Sequence, residues 1–526
     1  MKRRAFIKTA IPAAVFPSLI GGFTFQAFGA SSLLSALTAA PTETDHVLVL
    51  IQLNGGNDGL NTVIPLDQYS NLFNARSNIL IPENKILRLG NAATGLHPAM
   101  TGLKRLYDEG KLNVIQSVGY PSPNFSHFRA TDIWLTGSDS NQTLNSGWMG
   151  RYLNEEYPNY PVDYPNAIMP DPLAIQIGSV ISPGFMGPGL NMGMAIANPS
   201  SFYSLVNGIQ DPAPNTPAGS ELTYIRQIAQ QTQQYASVIK ASAGKITQQG
   251  VYPTNNSLAD QLKIVSRLIA GGLKTRIYMV SLGGFDTHAN QVNSTQTETG
   301  THAVLLQRVS DAIKAFMDDL KYLNVSKRVL GMTFSEFGRR VKSNSSGGTD
   351  HGAAAPLFVF GDAVRSGITG VNPTINTVVN TNDNLPMQYD FRSIYASLLQ
   401  EWFCVPQTTL SNVMLKDFQQ LPLIKSSDSC TKTPTNNNQL AGKNLITNYP
   451  NPFTSATTIK IEVETGHVLV QIFDVQGRLI KTLLDSQKAS GTYYLTFEDE
   501  GWGQGVYYAR LQNGRVQQVR TMMIVQ

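Results

Sequence analysis

The run Val47–Leu53, VLVLIQL, is apolar at six of its seven positions and stops at the glycine pair of "NGGNDGLN". A strand with one wet face alternates polar and apolar side chains. A run that is apolar on both faces has to be covered on both, as in a parallel sheet packed between helices. The pattern recurs at Leu112–Ser117 (LNVIQS), Ile277–Leu282, Val329–Phe334 (VLGMTF) and Leu357–Phe360 (LFVF). Helix-period segments lie between these runs, the longest being AVLLQRVSDAIKAFMDDLKYL at 303–323. The alternation predicts an α/β domain over 45–425, a mostly parallel sheet flanked by helices. Ligands of such sheets bind beyond the carboxyl ends of the strands, so the polar residues just after each run are the ones that matter.

After about Leu423 the pattern changes. A polar linker spans 426–445, and from 446 to 526 short alternating segments (TTIKIEV, HVLVQIFD, TYYLTF, GVYYARLQ) are separated by turns. They predict a small antiparallel β-sandwich. At the other end, residues 1–30 have a basic start and a short apolar stretch broken by Pro12, Pro17 and a glycine pair. That is a signal peptide rather than a transmembrane span. RRAFIK at Arg3–Lys8 fits a twin-arginine signal, a general-secretory signal being the alternative. Residues 31–44 read as a linker. Charged residues make up only 14% of the 526-residue chain, against about 25% in an average soluble protein. With a net charge of +4 and no basic cluster past the N-terminus, nucleic acid is excluded as a partner. The two cysteines, Cys404 and Cys430, are too few for a thiolate zinc site; they are either paired or two separate thiols.

Four strand ends carry conspicuous polar groups. They are Asp58 in "NGGNDGLN", Ser126 and His127 in "SHFRATDIW", Asp286 and His288 in "GGFDTHANQ", and Glu336, Arg339, Asp350 and His351 in "SEFGRR" and "GGTDHG". Three of the seven histidines fall in these segments. Each residue has a plain structural role open to it. Asp58 could close an Asx-turn, Ser126 or His127 could cap a helix, and Glu336 with Arg339 could be an ion pair. Taken together, carboxylates and imidazoles without thiolates suit zinc, manganese or a similar divalent ion. Ser126 is the available hydroxyl nucleophile, and Arg339 or Arg129 the available anion clamp.

LIQLNGGNDGLNTVIP, SHFRATDIWLTG, GGFDTHANQ and SEFGRRVKSNSSGGTDHGAAAPLFVFG together resemble the domain of unknown function 1501 family over residues 45–420. That family consists of secreted bacterial proteins, often with twin-arginine signals, and in turn resembles the alkaline phosphatase superfamily. The resemblance implies Asp58 and Glu336 on one ion, Asp286, His288 and His351 on another, and Ser126 as nucleophile, with Arg339 on the anion. Phe337 stands where the superfamily has a histidine ligand, which leaves the first ion short and one ion or two open. NYPNPF at 448–453 and the segments after it resemble a type A type IX secretion sorting domain. It implies a Bacteroidota-type cell and export through the twin-arginine and type IX machineries to the medium or outer surface.

These expectations converge on a secreted metal-dependent hydrolase of phosphate or sulfate esters, on a small molecule or polysaccharide. The alternative is a surface binding protein that kept the fold without the chemistry. The Asn, Gln, Pro and Gly-rich stretch at 155–260 is where specificity would be set.

Overall fold

A computed structural model describes residues 44–162, 164–197, 235–430, 446–474, 478–498, 500–513 and 516–525. The signal peptide expected at 1–30, the linker expected at 31–44 but for its last residue, and most of the linker expected at 426–445 lie outside those residues. The chain divides into two compact units, Met1–Lys432 and Thr433–Gln526.

Besides a small three-stranded sheet of Val63–Pro65, Leu87–Arg88 and Thr94–Leu96, the strands of the first unit are β1 (Val47–Leu53), β2 (Leu112–Gly119), β3 (Ala174–Ile177), β4 (Met194–Ile196), β5 (Ile277–Leu282), β6 (Val329–Phe334), β7 (Gly338–Ser343), β8 (Thr349–Gly352), β9 (Ala355–Gly361), β10 (Gly367–Thr369) and β11 (Tyr389–Asp390). The main sheet runs β10-β2-β9-β6-β1-β5-β3-β4, with β11 beside β2. β1 lies at its centre, parallel to both β5 and β6, and all seven of its residues are buried. That is why its sequence shows no alternation. The sheet is mixed rather than wholly parallel, because β9 runs antiparallel to β6 and to β2. Only two residues separate β9 from the β7–β8 hairpin, too few for the crossover that a parallel strand needs.

Helices α1 (Thr101–Asp108), α2 (His127–Thr136), α3 (Trp148–Glu156), α4 (Ser257–Ala270), α5 (Thr301–Tyr322), α6 (Phe391–Glu401) and α7 (Gln407–Met414) cover the two faces. Leu48 and Leu50 pack with Ile133 and Trp134 of α2 and Ile394 and Tyr395 of α6. Val47, Val49 and Ile51 face the other way, with Leu262 of α4 and Leu306 and Phe316 of α5. Each buried branched side chain contributes about 1.5–3 kcal/mol. The stretch 155–260 adds the strands β3 and β4 to the sheet edge, so its described part is body as well as surface. Cys404 and Cys430 form a disulfide that closes the segment holding α7, as befits an oxidising compartment. Among the described residues no helix is long and apolar enough to cross a membrane.

A buried polar network sits beneath β1. His302 of α5 donates from Nε2 to Asn57 Oδ1 at 2.9 Å, while its Nδ1 is buried without a partner. Burial is the main force that lowers its pKa from the ordinary 6.5 to about 4, against the raising effect of Asp58. The unfolded chain therefore takes up this proton before the folded one does. Stability from keeping His302 neutral is complete above pH 6.5 and is lost as pH falls toward 4, by up to about 3 kcal/mol. Denaturant unfolding at pH 7 and pH 4.5 should show His302→Gln losing less stability between the two than the wild type.

The second unit contains β12 (Ile446–Tyr449), β13 (Ala456–Val463), β14 (Gly466–Phe473), β15 (Leu479–Lys488), β16 (Gly491–Glu498), β17 (Gly505–Asn513) and β18 (Val516–Ile524). They form two antiparallel sheets, β12-β13-β16 and β15-β14-β17-β18. Ile459 and Ile461 of the first share a core with Val468, Val470, Ile472 and Leu511 of the second. The alternation in the sequence is this inward face of a sandwich.

Candidate metal centre

β1, β5 and β6 are parallel neighbours and β2, one strand further on, points the same way, so their carboxyl ends open at one edge. The loops after them carry every residue that matters here. Gly284 turns the chain after β5 at φ +104°. Gly55, after β1, comes so close to the β5 loop that a Cβ on it would lie 2.3 Å from the backbone nitrogen of Asp286. The hairpin β7–β8 folds His351 back beside the same loop, and α2 opens with His127.

Asp286 is the hub. Its Oδ1 lies 3.1 Å from His288 Nε2, 3.2 Å from His351 Nε2 and 2.7 Å from Arg339 Nη2, and its Oδ2 is 3.5 Å from His127 Nε2. Each imidazole is held from behind by its other nitrogen. His351 Nδ1 lies 2.8 Å from the carbonyl oxygen of Phe125, His127 Nδ1 lies 2.9 Å from Glu336 Oε1, and His288 Nδ1 lies 3.2 Å from Asp350 Oδ1. These partners fix the orientation of all three rings, and all three Nε2 atoms then face Asp286. Two of them, on His288 and His351, are 2.9 Å apart.

The donor set fits a divalent ion. Bonds of about 2.0–2.2 Å in a tetrahedron place neighbouring ligand atoms about 3.3–3.6 Å apart, and the Asp286–imidazole separations of 3.1–3.5 Å lie close to that. His127, Asp286 and His351 offer ligand atoms within 4.8 Å of one another. Burial works to raise the pKa of Asp286, but hydrogen bonds from Arg339 and His351 and the charges of Arg339 and His288 outweigh it and hold the carboxyl at about 2. Burial lowers the pKa of His351, against the hydrogen bonds to Phe125 and Asp286. Both residues are therefore ready to ligate at neutral pH.

Other expected site residues are placed differently. Asp58 is wholly buried, with both carboxylate oxygens 2.9 Å from Arg76 Nη1 and Oδ2 2.6 Å from Gln291 Nε2. No hydrogen bond or ion pair joins it to Asp286 or the three histidines among the described residues. Burial alone would raise its pKa, but Arg76, His302 and Gln291 hold it below the ordinary value. Asp58 thus forms a buried ion pair with Arg76. Arg339 is not a free anion clamp either. Its guanidinium is fully buried and donates to the carbonyls of Gly55, Gly56, Phe285 and Thr349 as well as to Asp286. It ties three loops together and orients the hub. Arg129 is likewise engaged, with Asp132 and the carbonyls of Asp139, Ser140 and Gln142. Ser126 caps α2 with its side chain exposed, and its hydroxyl makes no hydrogen bond among the described residues. Glu336 is buried, accepts from Gly55 N at 2.8 Å and orients His127. Phe337 packs its ring against His127 and His351.

A cleft of about 510 Å³ opens at this cluster, lined by Asn54, His127, Asp286 and Glu336 together with Phe128, Leu135 and Pro183.

Residues 248–405 match the family described as "Protein of unknown function (DUF1501)", and residues 447–526 match the "Secretion system C-terminal sorting domain". The second match is to a domain type that indicates secretion or outer-surface attachment. No curated protein matches the sequence. Solved structures similar to it include PorZ of Porphyromonas gingivalis, a surface component of the type-IX secretion system, at 16% identity over 20% of this chain and TM-score 0.13. The match spans only 14% of the PorZ chain. The PsFucS1 sulfatase of a Pseudoalteromonas species aligns over 89% of this chain and 86% of its own, at 11% identity and TM-score 0.30. A protein in the alkaline phosphatase superfamily from Vibrio parahaemolyticus aligns over 84% and 82%, at 11% identity and TM-score 0.30.

Proposed function

We propose that this chain, a DUF1501 domain with a C-terminal sorting domain, is an exported metal-dependent hydrolase of phosphate or sulfate esters. The observation that carries the reading is the convergence of three imidazole Nε2 atoms on Asp286, each ring fixed by an acceptor behind it. His127, Asp286, His288 and His351 would hold one divalent ion, zinc or manganese by the chemistry of the donors. When bound, such an ion polarises an ester oxygen and lowers the pKa of water.

The chain's own residues supply position and protons. Asp286 stays ionised, so it binds rather than donates. Glu336 holds the His127 ring in orientation and can take up charge from it. The Asn54 carboxamide, which lines the cleft and has no hydrogen-bond partner among the described residues, can donate to a non-bridging ester oxygen. Twin-arginine export, which carries folded proteins, would deliver the loaded domain to the periplasm, and the sorting domain would direct it onward through the type IX route.

The test is hydrolysis of aryl phosphate and aryl sulfate esters by purified protein, with chelation and metal restoration. Turnover that falls on chelation and returns with zinc or manganese supports the reading. No turnover from protein that holds a full ion would favour the surface binding protein instead. Because the Ser126 hydroxyl stands apart from the cluster, Ser126→Ala should keep kcat/KM within about threefold of wild type. A nucleophile would cost about a thousandfold or more.

A further inference from the structure

Phe128 directly follows His127 on α2 and is 92% exposed, one of the most exposed large apolar side chains among the described residues. A lone exposed phenyl ring is unremarkable on a surface. This one lines the same cleft as Asp286 and Glu336, together with Leu135 and Pro183. Two further lining residues have polar groups with no hydrogen-bond partner among the described residues: the Thr131 hydroxyl, one helical turn beyond Phe128, and the Asn54 carboxamide.

A wall of this composition suits one kind of ligand. It combines the apolar side chains Phe128, Leu135 and Pro183 with single donors and acceptors. A pyranose ring presents an apolar C–H face and a fringe of hydroxyl groups, and it stacks on an aromatic ring through that face. A purely aromatic ligand would leave Thr131 and Asn54 desolvated and unpaired, which disfavours it by about 1–3 kcal/mol per buried group. The cleft volume of about 510 Å³ is in the range of small-molecule sites, roughly 300–1,000 Å³. It accommodates a charged sugar with space for a neighbouring ring.

We infer that Phe128 is a specificity-determining residue, and that the substrate is a saccharide carrying its phosphate or sulfate ester on the sugar ring. The inference rests on the metal-centre reading only for where the ester group lies; the ring contact stands without the ion.

Saturation-transfer NMR on the full chain, with glucose 6-phosphate and glucose 6-sulfate as probes, tests it. The ring C–H protons should receive saturation from wild type and from Phe128→Tyr, and lose about tenfold in apparent affinity in Phe128→Ala. The metal-site variant His351→Ala should keep the ring contact, which separates failure of this inference from failure of the metal reading. Where the wild type turns over these esters, Phe128→Ala should raise KM by a similar factor with kcat nearly unchanged, and leave glycerol phosphate unaffected. Equal ring contact in wild type and Phe128→Ala, no ring contact in either, or an equal loss on glycerol phosphate would overturn it.

Discussion

Asp286→Ala should lose its stoichiometric divalent ion and, with it, about a thousandfold or more in kcat/KM on any ester the wild type hydrolyses. The expectation follows from the geometry. Asp286 is the one group that all three Nε2 atoms face, and it supplies the negative charge at their centre. Without it three imidazoles remain, aimed at one another beside the buried cation of Arg339, with no anionic ligand among them to hold a divalent ion. Asp286→Asn should behave nearly as badly, because an amide keeps the shape and loses the charge. Asp286 is half exposed and Arg339 keeps its four carbonyl acceptors, so both variants should fold. Elemental analysis and thermal unfolding on one sample read both sides. Wild-type metal content in Asp286→Ala would show that the ion sits elsewhere.

The second large effect is on stability. Asp58→Ala should destabilise the first unit by about 3–5 kcal/mol, because it leaves the Arg76 guanidinium buried without its counter-ion. Arg76 also donates to the carbonyls of Val341 and Arg340, so the pair links the loop after β1 to β7. Replacing both members, as Asp58→Leu with Arg76→Met, should recover much of the loss. The folded fraction of either variant should hold the wild-type amount of metal. A ligand role for Asp58 would give the opposite pattern, with metal lost at nearly wild-type stability. Denaturant midpoints and metal content per folded chain distinguish the two.

Much of this architecture could be read before any coordinates. Unbroken apolar runs require burial on both faces, and β1 has it. Alternating segments near the C-terminus require one inward face, and the sandwich supplies it. The segments of the site were legible too, because strand ends concentrate polar residues with few alternative uses. What escaped was the assignment within each segment. In "SHFR" the hydroxyl drew attention as a nucleophile, yet it is the next residue, His127, that enters the cluster, because α2 begins there and leaves Ser126 facing solvent. The same limit explains Asp58 and Arg339. Their partners, Arg76 and the carbonyls of Gly55, Gly56 and Thr349, come from other parts of the chain, and no local pattern announces a buried guanidinium. Asp350 and the Phe125 carbonyl act on the cluster by holding a histidine ring in orientation, a role that becomes visible once distances are known.

The most direct measurement is anomalous diffraction at a metal absorption edge from crystals of the exported protein. The account predicts one strong peak among Asp286 and the Nε2 atoms of His127, His288 and His351, about 2.0–2.2 Å from its ligands. No peak there, or a peak bound by Asp58 instead, would contradict it.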